Sequence, residues 1–256
     1  MRVTEKLRSC CLPSVLPLLQ ATAGAHDAAL EKIVAEESAI ERQTDPKDGP
    51  GWPDVSKAAE DRRIAALEAL QVRLSALPPT PAGSEDALTR RLLDWRLGMR
   101  IEAARFDEAR IPFSNGDGFF NTASYAAETT VIHTDADAVA WLARLRALPV
   151  YFDQQIDNLR RGIASGFVQP QPTASAVLAI LKLAADQPAA ASPLLEPLKH
   201  MSSTIPGDRQ ASLQADGLAA VEQAIKPAQR KLVSFFERDY LPHTRARGFL
   251  ERLRFG

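Results

Sequence analysis

Cysteine, aromatic residues and an excess of charge of either sign are all scarce in this chain. Its only two cysteines, Cys10 and Cys11, are adjacent and close to the N-terminus. Neighbouring cysteines are strained as a disulfide pair, so no covalent staple is expected to hold the fold. The formal net charge is −1, which gives no whole-molecule field toward nucleic acid or an anionic membrane. Basic residues are interspersed with Asp and Glu rather than gathered into a run, which argues further against a nucleic-acid partner. Four histidines are present, His26, His133, His200 and His243. None has a second histidine four residues away with a glutamate between, the spacing that turns two imidazoles of one helix toward a single zinc. No metal ligand is therefore assigned, and His133 beside Asp135 and Asp137 is read as part of a helix start. A nucleophile elbow, a Walker-type loop and a dinucleotide-binding glycine pattern are all missing. Apolar runs are too short to span a bilayer.

What remains is the composition of a globular protein with a core: 45% hydrophobic and 25% charged residues. Residues 1–25 have the three-part layout of an export signal. Arg2, Lys6 and Arg8 begin it, Cys10 to Leu19 form the apolar stretch, and Ala21-Thr22-Ala23 or Ala23-Gly24-Ala25 suits a signal peptidase. Pro13 and Pro17 interrupt the stretch, so a disordered N-terminal tail is the alternative. Cys10 lacks the small-residue setting of a lipid-anchor cysteine. Export to the periplasm or outside the cell is the expected destination.

Residues 26–247 read as helix after helix, and the expected fold class is all-α, a multi-helix array or bundle. Leu30, Ile33, Val34 and Ile40 recur at helical spacing between Asp27 and Gln43. Ile64, Leu67, Leu70, Leu74 and Leu77 make the stripe of a second helix, which Pro78-Pro79 stops. Ser84 caps a third, with an expected buried stripe of Leu88, Leu92, Trp95, Met99, Ala103 and Phe106. Thr134 and Asp137 form a capping box for a helix through Leu148. Pro149 is expected to begin another, running to a left-handed cap at Gly166. Thr173 is read as the next cap, followed by a short helix from Pro193 to Met201. A long segment from Asp208 to Asp239 comes last, which Pro227 kinks or divides.

One stretch departs from helical spacing: Ile111 to Asn121, continuing as an aromatic and amide-rich segment to Tyr125. Asn115-Gly116-Asp117-Gly118 suggests a calcium loop, but Phe119 stands where the next oxygen ligand is needed. Two interpretations stay open: a functional surface on a placed loop, or aromatic plugs beneath an ordinary one. The candidate substrate-binding residues are Phe113, Asn115, Asn121 and Tyr125. No catalytic residue is assigned.

Three phrases carry a resemblance. They are the run from Leu142 to Pro149, the run from Tyr151 to Ile163 with Gly166 and Gln169-Pro170 after it, and Phe235 to Arg245 with its Tyr240-Leu241-Pro242. With the Asn121 to Thr130 stretch in the same order, they resemble the bacterial domain-of-unknown-function 885 family across about residues 31–247. The resemblance implies an exported, largely helical protein similar to thimet-type zinc metallopeptidases. In such proteins the N-terminal helices wall a substrate channel and the H-E-x-x-H motif lies in a C-terminal half. Zinc is then expected only with that half, and none in this chain. Residues 248–256 are expected to be a truncated or aberrant tail.

Two functions are compatible with these readings. The chain is the substrate-channel half of a metallopeptidase-like protein, inactive alone, whose partners would be its own C-terminal half and a peptide. Alternatively it is a stand-alone helical binding or scaffold module with no catalysis.

Overall fold

The computed structural model describes residues 27–43 and 51–245. The expected signal at 1–25 and the tail at 248–256 lie outside the described residues. Among those described, the fold is all-α, with two isolated bridges, Phe113 with Gly118 and Pro170 with Arg245, and no strand.

Three helices come first among the described residues: α1 (Ala28–Arg42), α2 (Lys57–Ser75) and α3 (Glu85–Phe106). Each starts at an oxygen-bearing cap, Asp27, Ser56 and Ser84, whose side chain accepts a first-turn backbone N–H. Leu30, Ile33, Leu67, Leu70, Leu74, Leu93, Leu97 and Ile101 form their shared core. The third helix faces the opposite way from expectation. Leu88, Leu92, Trp95, Met99 and Phe106 are between 50% and 66% exposed, while Leu93, Leu97 and Ile101 are buried. The reason lies in the partners. Glu37, fully buried on α1, is met by Arg96 at 2.6 Å and Arg100 at 2.7 Å, so the α3 face carrying these arginines turns inward. A buried carboxylate without them would carry a desolvation cost of several kcal/mol.

The body comes next in the chain. After a hairpin come α4 (Thr122–Thr129) and α5 (Asp135–Ser165), then α6 (Gln171–Asp186), α7 (Glu196–Lys199), α8 (Gly207–Ala220) and α9 (Lys226–Phe235). The capping box at Thr134 and Asp137 has both of its hydrogen bonds, and Gly166 takes the left-handed conformation. Pro149 does not begin a helix; it sits inside the 31-residue α5. An interior proline costs a helix about 3 kcal/mol. Burial of Leu145, Leu148, Phe152 and Ile156 on either side of it offsets that cost. Likewise Thr173 is no cap, because α6 already starts at Gln171 behind Pro170.

The expected last helix is continuous in direction but widens twice, in π-helical turns at Val221–Ile225 and Phe236–Tyr240. The first places Pro227 at the start of α9, where its missing N–H breaks no regular bond. Lys226 is buried, and its ammonium donates to the carbonyls of Ala184 (2.7 Å) and Ala185 (3.3 Å) at the end of α6. Trp141 is buried and donates to the Leu194 carbonyl at 3.0 Å.

Two joints attach the three helices to the body. In the first, Trp52 donates to the Arg144 carbonyl at 2.8 Å and lies under its guanidinium, 4.5 Å from the ring centre. Beside it the Val55 carbonyl accepts from Asn158 at 2.9 Å. In the second, Arg161 bonds Asp107, and Phe106 stacks edge-on against Phe167. Here Gly162 is essential: an added Cβ would fall 2.6 Å from the Arg110 carbonyl oxygen and 2.8 Å from that of Phe167.

Candidate functional site

The irregular segment is a tight hairpin. Ser114 N–H donates to the Asp117 carbonyl at 2.8 Å and Phe119 N–H to the Pro112 carbonyl at 3.1 Å. Gly116 and Gly118 have φ of 84° and 155°. A Cβ on Gly118 would come within 2.5 Å of the Phe113 Cβ, so glycine is required there by contact.

Asp117 ties the hairpin to the start of α4. Its Oδ1 accepts from Gly118 N–H at 2.8 Å, Asn121 Nδ2 at 3.1 Å and the Tyr125 hydroxyl at 3.2 Å. Those donors, Asn121 foremost, hold its carboxyl below the usual carboxylate range. Oδ1 of Asp117 is thus engaged by donors of the hairpin and α4.

The four expected site residues divide. Asn121 and Tyr125 meet at Asp117, and Tyr125 is 52% exposed. Asn115 sits exposed at the hairpin tip, and its side chain has no hydrogen-bond partner among the described residues. Phe113 points into the core, its ring 5.5 Å from those of Phe236 and Tyr240, while its carbonyl accepts from Gln169 at 2.5 Å. Asn121 also borders a cavity of about 140 Å³, with Ser124, Lys226 and Gln229.

A much larger cleft, about 620 Å³, opens between the three N-terminal helices and α5. Ile40, Leu67, Ile111 and Pro112 supply apolar wall, and Gln155 and Asn158 of α5 border it. Its two guanidinium groups are already engaged, Arg63 with Glu60 and Arg100 with Glu37 and Glu41. The hydrogen bond from Arg100 holds the Glu41 carboxyl low. Asp107, in the left-handed conformation with φ 58°, uses Oδ2 for Arg161 and Arg110. Sequence reasoning missed this site because its residues come from four separate stretches. One signal was available: Gln155 falls within the spacing of Phe152, Ile156 and Leu159, a polar residue in an apolar stripe.

The family described as "Bacterial protein of unknown function (DUF885)" matches residues 42–252. The chain belongs to this family. Its fold is similar to that in a crystal structure of a candidate lipoprotein from Colwellia psychrerythraea, with a TM-score of 0.66 at 16% identity. That likeness covers 85% of this chain and 41% of the other. The DUF885 chain described here thus spans less than half the length of that relative. No curated protein matches it. Among the described residues, no helix is long and apolar enough to cross a membrane. Nor are any three His, Cys, Asp or Glu side chains among them grouped to hold a metal ion.

Proposed function

We propose that these helices form the N-terminal wall of a substrate channel in an exported, metallopeptidase-like protein whose substrates are peptides. The observation that supports it is the length relation: this fold makes up 41% of a longer similar chain, leaving room for a second half. The role assigned to these residues in this reading is binding, with the zinc and its water-activating chemistry assigned to that second half. In this reading Asn115, Asn121 and Tyr125 present amide and phenol groups to the peptide. Phe113, seated beneath them, fixes the hairpin.

The test is a peptidase assay with zinc, in which the chain is combined with the C-terminal half of a family member. Asn115→Ala and Tyr125→Ala are expected to raise KM several-fold with kcat little changed, the pattern of lost uniform binding. Unchanged KM in both would remove the hairpin from the substrate path, and no activity in the combined protein would sink the channel reading itself.

The exposed stripe of α3 favours a second reading, a non-catalytic binding or scaffold module. Leu88, Leu92, Trp95 and Met99 keep to the alternating spacing of four and three that seats one helix against another.

A further inference from the structure

The cleft between the N-terminal helices and α5 is a better-formed site than the hairpin. Its polar groups are unbalanced in one direction. Of its four carboxylates, Glu41, Glu60 and Asp107 are ion-paired and Glu108 is not, while its lining guanidinium groups are those of Arg63 and Arg100. Both arginines are consumed by ion pairs. The unused capacity is all on the acceptor side. Gln155 is only 4% exposed and borders the cleft, yet its Oε1 has no hydrogen-bond partner among the described residues. Asp107 Oδ1 is likewise buried and unpaired. The Glu108 carboxylate makes no ion pair among the described residues.

Leaving a buried acceptor unmade costs about 1–3 kcal/mol, so such groups mark where a donor is expected to arrive. The volume, about 620 Å³, lies in the range of pockets that hold small ligands. Apolar wall from Ile40, Leu67 and Ile111 suits an alkyl stem that carries a charged end.

We propose that this cleft binds a peptide by a cationic nitrogen, its amino terminus or a basic side chain, received by Gln155, Asp107 and Glu108. This deepens the channel reading, and rests on it only for the ligand being a peptide. Both sources share one chemistry, a positively charged N–H donor, and they can be told apart.

The experiment is calorimetric titration of the 256-residue chain with the amidated tripeptide Lys-Ala-Ala. Saturable one-site binding is expected. Acetylating the amino end removes one cationic nitrogen and replacing lysine by norleucine removes the other. The control that weakens binding identifies the nitrogen received. The doubly neutral peptide is expected to bind at least about tenfold more weakly, the scale of one charge-assisted hydrogen bond. Glu108→Gln and Gln155→Leu are each expected to weaken the cationic peptide about five- to tenfold. Gln155→Leu removes the unsatisfied Oε1 but also the hydrogen bond between the Gln155 amide and the Tyr151 hydroxyl, so its melting temperature is measured beside the titration to separate lost binding from lost stability. No saturation with the cationic peptide, or equal affinity for the neutral one, would overturn the proposal. Should Gln155→Leu fail to fold, Glu108→Gln still decides the matter from an exposed position. Because the titration needs no catalysis, a combined protein without peptidase activity leaves this result standing on its own.

Discussion

The N-terminal three-helix unit and the body solve the same problem with different materials. The fully buried core of the unit is leucine and isoleucine, and its large aromatic side chains stay out of it, Trp95 exposed and Phe106 turned to Phe167 of the body. Its helices are tied together by ion pairs: Glu37 with Arg96 and Arg100, Glu36 with Arg73, and Glu68 with Arg105. The body packs rings against rings, with Phe113, Phe236 and Tyr240 in mutual contact and Phe119 against Phe152. Aromatic side chains bury the most area per residue, so the body holds the larger share of the stability. The unit is small, charged at its seams and apolar outside, which makes it the part expected to open first.

The strongest way to break this distinction is to remove volume from each core in turn. Trp141→Ala is expected to cost about 3–5 kcal/mol and to lower the whole denaturant transition. Leu97→Ala, at about 2–5 kcal/mol, should strip hydrogen-exchange protection from α1 to α3 while α5, α8 and α9 keep theirs. Equal loss of protection in both regions would show a single cooperative unit instead. A smaller effect sharpens the contrast at the seam. Arg100→Ala leaves Glu37 with one partner, and with the arginine partly exposed the cost is about 1–2 kcal/mol. Salt should change the stability of the wild type relative to this variant, and a salt-independent difference would take the ion pairs out of the account.

The smallest effect belongs to the body. Thr134→Ala, which removes one arm of the capping box, should cost about 1 kcal/mol. Its partner Asp137 is held below the usual carboxylate range by hydrogen bonds from Thr134, the backbone N–H first. A carboxyl lowered in the folded state stabilises above its unfolded value, near 3.9, and that contribution is lost as pH falls through the folded value. Asp137→Asn should therefore flatten the acid limb of the stability curve below about pH 4. A limb of unchanged steepness would mean that other carboxyls set it.

Much of this architecture was legible from local chemistry. The caps at Ser84 and Thr134 and the left-handed end at Gly166 depend on residues within one turn of each other. The identity of α3's buried face was not. Two apolar stripes wind around that helix, and the bulkier one, through Trp95 and Phe106, is the obvious choice by hydrophobicity. Selection between them is made by Glu37, some 60 residues earlier in the chain, and by the arginines that answer it. Pro149 misled for a related reason: its local preference to start a helix is overridden by burial that only the assembled body supplies. The tight turn was visible from Asn115-Gly116-Asp117-Gly118, but the role of Phe113 was not: named as a candidate substrate-binding residue, it packs against Phe236 and Tyr240, whose positions only the assembled body supplies. The cleft was not visible, because α1, α2, α3 and α5 must all be in place before it exists.

The glycine at position 162 has a mechanical consequence. With backbone carbonyls of Arg110 and Phe167 so close that only a hydrogen atom fits between helix and neighbours, α5 cannot slide past the end of α3. Together with the contacts of Trp52 with Arg144 and of Val55 with Asn158, this close approach pins the N-terminal helices to α5 at two separate places, so the spacing of the cleft walls is set by backbone and not by side chains alone.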